Sequence, residues 1–330
     1  MSRIAIIGAG IGGLTLGQTL AGQNDVVVFE KGRGVGGRMA TRYAEGFAFD
    51  HGAQYFTVRD PRFAALVQPM IERGAVVPWV GAMARIGADG TTSLSDPRDI
   101  HYVGAPNMNS LAKALASHVE VRSGVDVAPL TARQADGWSL RDTDGAALGV
   151  FDWVISSTTP HQTLALFGAH APIDGPLTQS SMLPCYARML GFDSPFERPW
   201  IAARVANSAV DLVSINSSKP GRDVRAGTLV AHSTSDWAAA HLGDDPAEIQ
   251  LALERAVAAA IGVHPASARF RTLHRWKSAR LAQDQRVSPY LDRARGLAAS
   301  GDWTTGSRVE NVALSALELA EMIMDDEALG

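Results

Sequence analysis

The sequence is poor in cysteine and has no surplus of basic residues, and each shortage excludes a class of protein. Its 330 residues include one cysteine, Cys185, which excludes an intramolecular disulfide, a Cys-x-x-Cys redox pair and a cysteine-based zinc site. Lysine and arginine number 30 against 34 aspartates and glutamates, whereas a nucleic-acid-binding surface needs a basic surplus. We therefore expect no nucleic-acid partner, and we interpret Cys185 as a small buried hydrophobic residue.

Long apolar runs are also missing. A bilayer core requires about 20 consecutive apolar residues, and the longest apolar stretch, near residues 256–263, ends at a Gly-Val-His-Pro sequence. The first strand is expected at residues 3–7, which leaves no signal peptide before it. The sequence therefore predicts a cytoplasmic protein without a membrane span, and its length predicts about two domains.

A glycine-rich turn between a strand and a helix is the strongest motif present. Residues 4–7 are a short apolar run, typical of a central parallel strand, and residues 8–13 (Gly-Ala-Gly-Ile-Gly-Gly) follow directly. Apolar residues then recur at helical spacing. The second strand ends at Glu30, 22 positions after Gly8, close to the spacing of about 20 between a phosphate loop and a ribose-binding acid.

This arrangement predicts a dinucleotide-binding site. Gly8 permits the tight turn, Gly10 lets a pyrophosphate approach the backbone, and Gly13 lets helix and strand pack closely. The free N–H groups of the helix N-terminus face the phosphates, and Glu30 can accept hydrogen bonds from two ribose hydroxyls. A glycine-rich turn without a ligand is the alternative.

A second glycine-rich segment indicates which dinucleotide binds. Residues 31–39 (Lys-Gly-Arg-Gly-Val-Gly-Gly-Arg-Met) follow Glu30 directly, and an NAD-only Rossmann unit has no need for them. Residues 36–38 resemble the FAD domains of glutathione-reductase type, in their amine-oxidase branch. The resemblance implies that Arg38 and its flanking glycines line the pyrophosphate and the ribityl chain. A flexible loop with solvated arginines is the alternative.

The predicted fold class is α/β, with a glutathione-reductase-type FAD-binding Rossmann domain and an inserted α+β substrate domain. The FAD-binding domain is expected at residues 1–58, 100–165 and 290–330, and the substrate domain at 59–99 and 166–289. Strands of alternating polarity in the second insertion predict a mostly antiparallel sheet that forms one wall of a substrate cavity. Helices are predicted at 61–73 and, after an Asp-Pro start, at 247–261.

The C-terminal segment carries further candidate cofactor contacts. A short strand is predicted at 296–300, Asp302 follows in a Gly-Asp turn, and a helix opens near Val309. The resemblance implies that Asp302 bonds a ribityl hydroxyl and that the helix N-terminus faces the flavin pyrimidine edge, where negative charge collects on reduction. It also makes the backbone of Val125 a partner of adenine. A plain loop and helix is the alternative.

Four longer stretches together resemble the bacterial renalase family over essentially the whole chain. They are residues 50–57 (Asp-His-Gly-Ala-Gln-Tyr-Phe-Thr), 103–106 (Val-Gly-Ala-Pro), 274–277 (His-Arg-Trp-Lys) and 301–303 (Gly-Asp-Trp). The sequence departs from that family at Asn311 and Ala316, where glycine is usual, so the placement of the flavin pyrimidine edge is less closely specified.

This resemblance implies an FAD-dependent oxidase of the 2- and 6-dihydro isomers of NAD(P)H. Hydride passes to flavin N5 with release of NAD(P)+, and dioxygen reoxidises the flavin to give hydrogen peroxide. No general base is nominated, because the substrate leaves as an aromatic cation and the protein supplies orientation and electrostatics. The expected partners are the dihydronicotinamide substrate and dioxygen; the preferred isomer, the choice between NAD and NADP, and the oligomeric state stay open.

The candidate site residues form two sets. The residues of the cofactor set are all expected to contact the bound dinucleotide, and they are Gly8, Gly10, Ile11, Gly12, Gly13, Glu30, Lys31, Gly37, Arg38, Gln54, Val125, Asp302 and Val309. The substrate set offers amide, hydroxyl and aromatic groups beside the flavin and comprises Gln54, Tyr55, Phe56 and Thr57.

Two further residues adjoin the predicted flavin site. Lys277 stands where amine oxidases place a lysine that holds a water at flavin N5, although a surface lysine is an equal alternative. His51 abuts the flavin segment, and a structural role is favoured for it. The remaining histidines have no metal spacing, so no metal is expected. The C-terminal segment has no cysteine for an 8α link, so the FAD is expected to be noncovalent.

Two other functions stay open. An amine oxidase or desaturase of the same fold requires an apolar tunnel and aromatic walls around a neutral amine. A non-catalytic binding protein like the GDP-dissociation inhibitors would use the fold without FAD. The joint presence of the glycines, Glu30, Arg38 and Asp302 argues against this last interpretation, because a scaffold needs none of them together.

Overall fold

The structure, a computed structural model, describes residues 1–327 and side chains up to residue 325, so the end of the predicted 290–330 segment lies outside the described residues. The strands, in chain order, are β1 Arg3–Ile7, β2 Asp25–Glu30, β3 Thr41–Ala44, β4 Phe47–Asp50, β5 Val76–Pro78, β6 Met83–Ile86, β7 Thr92–Ser95, β8 Tyr102–Gly104, β9 Glu120–Ser123, β10 Trp138–Arg141, β11 Ala147–Phe151, β12 Trp153–Ser156, β13 Met182–Phe192, β14 Ala202–Val205, β15 Val210–Ile215, β16 Gly227–Ser233, β17 Phe270–Leu281, β18 Tyr290–Asp292 and β19 Leu297–Ala299. The helices are α1 Ile11–Leu20, α2 Pro61–Glu72, α3 Ser110–Ala116, α4 Pro160–Phe167, α5 Pro176–Gln179, α6 Ser235–Ala240, α7 Pro246–Ile261, α8 Asp302–Thr305 and α9 Val309–Glu327.

One layer is a six-stranded sheet in the order β18-β19-β12-β1-β2-β9. Its neighbouring strands are parallel, except for the antiparallel pair β18 and β19. The central strand β1 is covered on both faces, which is why its sequence is a continuous apolar run and does not alternate. Helices α1 and α9 pack against each other beside this sheet. The predicted α/β Rossmann-like fold is confirmed.

A second layer is a seven-stranded mixed sheet in the order β17-β13-β16-β15-β14-β6-β7. The strands from β17 to β14 pair antiparallel, whereas β6 runs parallel to β14. The sequence prediction placed a mostly antiparallel sheet in residues 166–289, but strands β6 and β7 from residues 83–95 extend it and make it mixed. Local alternation of polarity does not specify pairing between strands more than 100 positions apart, and so this pairing was missed.

The segment between residues 59 and 99 therefore contributes to both layers. Helix α2 buries Phe63, Val67 and Met70 in the core that also contains α1 and α9, while β6 and β7 belong to the second sheet. The predicted domain boundaries stay a prediction. No helix among the described residues is long and apolar enough to cross a membrane.

A buried ion pair joins the second sheet to the helix that covers its outer face. Arg188 on β13 donates to Glu254 and to Gln250 on α7, and Arg271 on β17 also contacts Glu254. Arg188 is 1% exposed, so its charge depends on these acceptors. Removal of one partner of a buried pair leaves the other charge without compensation.

We expect Glu254→Ala to lower the free energy of unfolding by about 3–5 kcal/mol, the usual cost of an uncompensated buried charge. Glu248→Ala is the matched control, since Glu248 is an exposed carboxylate on the same helix, and should cost less than about 1 kcal/mol. Chemical denaturation of both variants measures the difference. Equal losses would contradict the assigned role of the Arg188–Glu254 pair.

Candidate functional site

A cleft of about 1,860 Å³ lies between the glycine-rich turn after β1 and the inner face of the second sheet. Every predicted cofactor and substrate residue lines it except Gly13 and Asp302, and Lys277 lines it as well. The structure therefore brings together residues that are separated by almost the full length of the sequence. Their placement agrees with one common site, while their individual roles stay predictions.

The glycines after β1 have the geometry that a phosphate loop requires. Gly8 has φ +104°, a conformation that favours glycine. A Cβ on Gly13 would lie 1.9 Å from the Gly8 carbonyl oxygen, so only glycine allows this contact between helix and strand. A Cβ on Gly10 would meet no protein atom within 4 Å, and Gly10 lines the cleft. Its backbone is thus open to a ligand.

Glu30 connects the glycine-rich turn after β1 to the loop after β2 by hydrogen bonds. Its Oε2 accepts from the Ala9 N–H at 2.8 Å, and its Oε1 accepts from the Gly32 N–H at 2.6 Å. Each carboxylate oxygen can accept a further hydrogen bond, which leaves capacity for ribose hydroxyls. The Val125 N–H donates to the Glu30 carbonyl oxygen at 3.0 Å, so an adenine ring would find the Val125 carbonyl and not its N–H.

Arg38 and Asp302 form a direct ion pair, which the sequence analysis did not anticipate. Arg38 Nη1 donates to Asp302 Oδ2 and to the Ala279 carbonyl oxygen, and the Ser307 hydroxyl donates to the same Oδ2. Asp302 is fully buried, and among the described residues its Oδ1 has no hydrogen-bond partner. Because Asp302 does not line the cleft, its predicted contact with a ribityl hydroxyl stays a prediction. The open backbone of Gly10 and the free acceptor capacity of Glu30 are what make this site suitable for FAD.

The residues predicted to contact the substrate differ in how far their side chains are already engaged in contacts within the protein. The Gln54 amide donates to the carbonyl oxygens of Asp50 and Gly52, and its oxygen accepts from Lys219. Both of its N–H groups are therefore used within the protein, which leaves no donor to orient a carboxamide. In this structure the Gln54 amide supports the wall, while its predicted contacts with cofactor and substrate stay predictions.

The two aromatic residues of this set also differ. Phe56 is 4% exposed and packs on Phe63 and Tyr102, as expected for a core residue. Tyr55 stacks on His101, with 3.8 Å between ring centroids. His101 also lines the cleft, although its sequence context gave no reason to select it. Tyr55 and His101 thus form an aromatic surface of the cleft.

A cluster of buried charges behind the cleft wall was missed by the sequence analysis. Asp50 Oδ2 accepts from Lys219 Nζ at 3.1 Å and from Arg222 Nη2 at 2.5 Å. Burial would raise the pKa of the Asp50 carboxyl, but the charges of Lys219 and Arg222 outweigh burial and hold it well below the usual range. Burial lowers the pKa of Lys219 to about 8, against the opposing attraction of Asp50. Residues 216–222 have the composition of a polar loop, so nothing in the sequence indicated burial.

His51 lies in an aromatic cluster beside the cleft and does not line it. Its ring stacks on Trp276 and meets His274 edge-on, and its carbonyl oxygen accepts from Trp276 and is 3.0 Å from His232 Nε2. Burial, followed by the neighbouring His274, lowers the pKa of His51 to about 4. These contacts agree with the structural role that the sequence favoured.

Lys277 and Cys185 both line the cleft on the second sheet. Lys277 is exposed on β17, which agrees with either interpretation of its role. Cys185 was predicted to be a small buried hydrophobic residue, and in the structure it is half-buried at the cleft surface, because it stands on the inner face of β13. Burial raises the pKa of its thiol to about 11. No group of His, Cys, Asp and Glu within residues 1–327 could hold a metal ion.

Comparison with known proteins identifies the N-terminal domain. Residues 6–69 match the family described as NAD(P)-binding Rossmann-like domain. The chain is 47% identical over 51 residues to 4,4'-diapophytoene desaturase of Staphylococcus aureus strain Newman, which is 15% of this chain and 10% of that protein. The matched region thus spans about a tenth of the length of these curated relatives. The predicted dinucleotide-binding domain is confirmed.

Solved structures share the whole fold at low sequence identity. A proposed protoporphyrinogen oxidase from Exiguobacterium sp. 255-15 superposes with a TM-score of 0.79 at 13% identity, covering 98% of this chain and 99% of that one. Cyclohexylamine oxidase from Brevibacterium oxydans IH-35A gives 0.71 at 13% identity, with the same coverage. Putrescine oxidase bound to putrescine gives 0.70 at 14% identity, again over 98% and 99%. The chain therefore matches the NAD(P)-binding Rossmann-like domain family over residues 6–69, and its whole fold is shared with these oxidases.

Gly10→Val should abolish dinucleotide binding without unfolding the protein, because the added side chain meets no protein atom nearby and projects where a phosphate would lie. Gly22→Val is the matched control, since a Cβ on Gly22 also meets nothing within 4 Å and Gly22 does not line the cleft. Flavin absorbance per protein after gel filtration, together with the thermal midpoint, measures the outcome. A Gly10→Val variant that retains flavin would overturn the phosphate-loop assignment.

The buried His51 predicts loss of stability in acid. Between pH 6.5 and 4 the unfolded chain binds a proton at His51 that the folded chain does not, so the free energy of unfolding should fall as pH decreases, by about 1–3 kcal/mol from this residue. Urea unfolding at several pH values checks the slope. His51→Gln should flatten it, whereas His118→Gln, at an exposed position, should leave it unchanged. Identical slopes for the wild type and His51→Gln would contradict the assignment.

Proposed function

We propose that this chain is an FAD-dependent oxidoreductase whose substrate is a 2- or 6-dihydro isomer of NAD(P)H, with dioxygen as the electron acceptor. The observation that carries the proposal is a cleft large enough for two ligands and lined by three cations, Lys277, Arg280 and Arg308, that form no ion pair among the described residues. The proposal takes its substrate class from the resemblance of residues 50–57 and 274–277 to bacterial renalase. It takes its cofactor from the geometry of the glycine-rich turn and of Glu30.

The residues that would hold FAD are those with open backbone or unused acceptors. Gly10 and the first turn of α1 would receive the pyrophosphate, and Glu30 would receive a ribose. Asp302 would support this site from behind through its ion pair with Arg38, which lines the cleft. The N–H groups at Val309 open helix α9 at the cleft and would favour negative charge there. When bound, FAD supplies the capacity to accept a hydride from a dihydronicotinamide and to be reoxidised by dioxygen with formation of hydrogen peroxide.

The size of the cleft supports a second, large ligand. Small-molecule pockets usually have about 300–1,000 Å³, whereas this cleft has about 1,860 Å³. A cofactor and a dinucleotide substrate could therefore occupy it together. Tyr55 and His101 provide a flat aromatic surface, which suits a nicotinamide or adenine ring.

The charge of the cleft favours an anionic substrate over a cationic one. Lys277, Arg280 and Arg308 line it, and no carboxylate among the described residues forms an ion pair with them. The carboxylates of Asp99 and Asp211, which also line it, are paired with Arg59 and Arg204. Glu30, Asp126, Asp236 and Glu310 line it without an ion pair among the described residues, so the preference for an anion rests on the position of the cations on β17 and beside α9 and not on a cleft free of carboxylates. Unpaired cations attract the phosphates of a dinucleotide and oppose entry of an ammonium group.

An amine oxidase or desaturase of the same fold is the second candidate. It is supported by the likeness of the fold to putrescine oxidase and cyclohexylamine oxidase, and by the short match to a desaturase. The cationic residues around the cleft are its main difficulty, since a protonated amine would have to pass them. A binding protein without FAD is disfavoured by the open backbone of Gly10 at the cleft, which a scaffold without a dinucleotide does not need.

The decisive experiment is anaerobic titration of the purified, flavin-loaded protein, followed at the flavin absorbance. Chemically reduced NAD that contains the 2- and 6-dihydro isomers, ordinary NADH and a panel of amines are added separately. Rapid bleaching by the isomers, with little by NADH or amines, is expected. Bleaching by an amine alone would replace the proposal with the second candidate.

Charge removal at the cleft tests the same proposal. Lys277→Met should lower the second-order rate constant for flavin reduction by the isomers about three- to tenfold and weaken its dependence on salt, as expected for a charge that steers an anion. Lys113→Met is the control, because Lys113 is an exposed lysine on α3 outside the cleft. A rate constant that is equal in both variants would remove this support for an anionic substrate.

A further inference from the structure

Lys219 is held at a fixed position behind the cleft wall. Its side chain is completely buried, and Nζ donates to Asp50 Oδ2 at 3.1 Å, Gln54 Oε1 at 3.1 Å and Asn216 Oδ1 at 3.3 Å. An ammonium has three N–H donors, so each finds an acceptor. The ring of Trp79 lies 5.3 Å from Nζ and closes the site on another side.

Gln54 connects this buried charge to the cleft. Its carbonyl oxygen accepts from Lys219, so its amide group must face the other way, where it donates to the backbone oxygens of Asp50 and Gly52. These hydrogen bonds therefore stabilise the turn that precedes residues 55–57. Since residues 52–57 line the cleft, the orientation of one amide determines the shape of that wall.

The cluster has more positive charge than it needs to neutralise its carboxylate. Arg222 pairs with Asp50 independently at 2.5 Å and also donates to the Gly104 carbonyl oxygen. Loss of Lys219 would therefore not leave Asp50 as an unpaired buried charge, which is the usual cause of unfolding when an ion pair is broken. The lysine is more than the fold requires to bury Asp50, and its remaining hydrogen bonds are with Asn216 and with Gln54 at the cleft wall.

We propose that Lys219 is a positioning residue for the cleft: by fixing the Gln54 amide it fixes the wall at residues 52–57, and substrate affinity depends on that wall. Lys219 does not line the cleft, and Gln54 is the wall residue to which it donates a hydrogen bond. The inference depends on the proposed function only for its kinetic test, because the amide hydrogen exchange of the wall residues can be measured without a substrate.

The first test is amide hydrogen exchange of the flavin-loaded protein. Lys219→Met keeps the length and volume of the side chain beside Trp79 while it removes the charge. Exchange at residues 51–57 should become about tenfold faster or more, as in local opening, with unchanged exchange elsewhere and unchanged flavin content. Lys113→Met should alter neither. Unchanged exchange at residues 51–57, or an increase spread over the whole molecule, would overturn the proposal.

The second test is a double-mutant cycle with Gln54→Leu. Lys219→Met should raise KM about tenfold in the wild-type background and less than about twofold in Gln54→Leu, because coupled residues are not additive. The kcat per bound flavin should stay within about threefold. Equal effects in the two backgrounds, or a lower kcat at unchanged KM, would contradict positioning through Gln54.

The two tests separate this inference from the proposed function. If the dihydro isomers do not reduce the wild-type flavin, the substrate assignment fails and KM is measured with whichever panel compound does. The exchange experiment is unaffected by that result and decides the role of Lys219 on its own.

Discussion

The Asp50 carboxylate is 1% exposed and accepts hydrogen bonds from four donors in distant parts of the chain. Thr41 and the Met108 N–H bind one oxygen, and Lys219 and Arg222 bind the other. A buried carboxylate is tolerated only when it is compensated in this way. Because β4 ends at Asp50 and the cleft wall starts directly after it, the position of that wall depends on this one charged group.

The two ends of the cleft differ in electrostatic character. At the glycine-rich turn, the backbone of Gly10 is open to the cleft and offers uncharged groups to a cofactor. On strand β17, Arg275, Lys277 and Arg280 line the cleft and form no ion pair among the described residues. The chain has a net charge of −4, so this cationic surface is a local property of the cleft and not of the protein as a whole.

Local patterns made the Rossmann-like half of the fold predictable. The strand–glycine–helix–strand order and the spacing to Glu30 lie within 30 residues, and over such a short stretch residues that are close in sequence are also close in space. Helix α7 was equally predictable from the sequence, since Asp245 caps it and Pro246 occupies its first turn.

The features that were missed are all non-local. The contact between Asp50 and Lys219 spans 169 positions, and the pairing of β6 with β14 is also remote. In the sequence, Lys219 stands in a Ser-Ser-Lys-Pro-Gly stretch typical of a solvated loop. Likewise, nothing adjacent to Cys185 distinguishes the cleft face of its strand from the covered face.

The strand order of the first sheet also bears on how the protein is made. Strand β1 begins at Arg3, but the sheet is completed by β19, which ends at Ala299, and by the helix α9 that packs on α1. The segment up to Ala299 must therefore be synthesised before the glycine-rich turn gains its full set of neighbours. Such non-local pairing is slow to form, so we expect cofactor capture to follow the pairing of β19, although the glycine-rich turn is synthesised long before it.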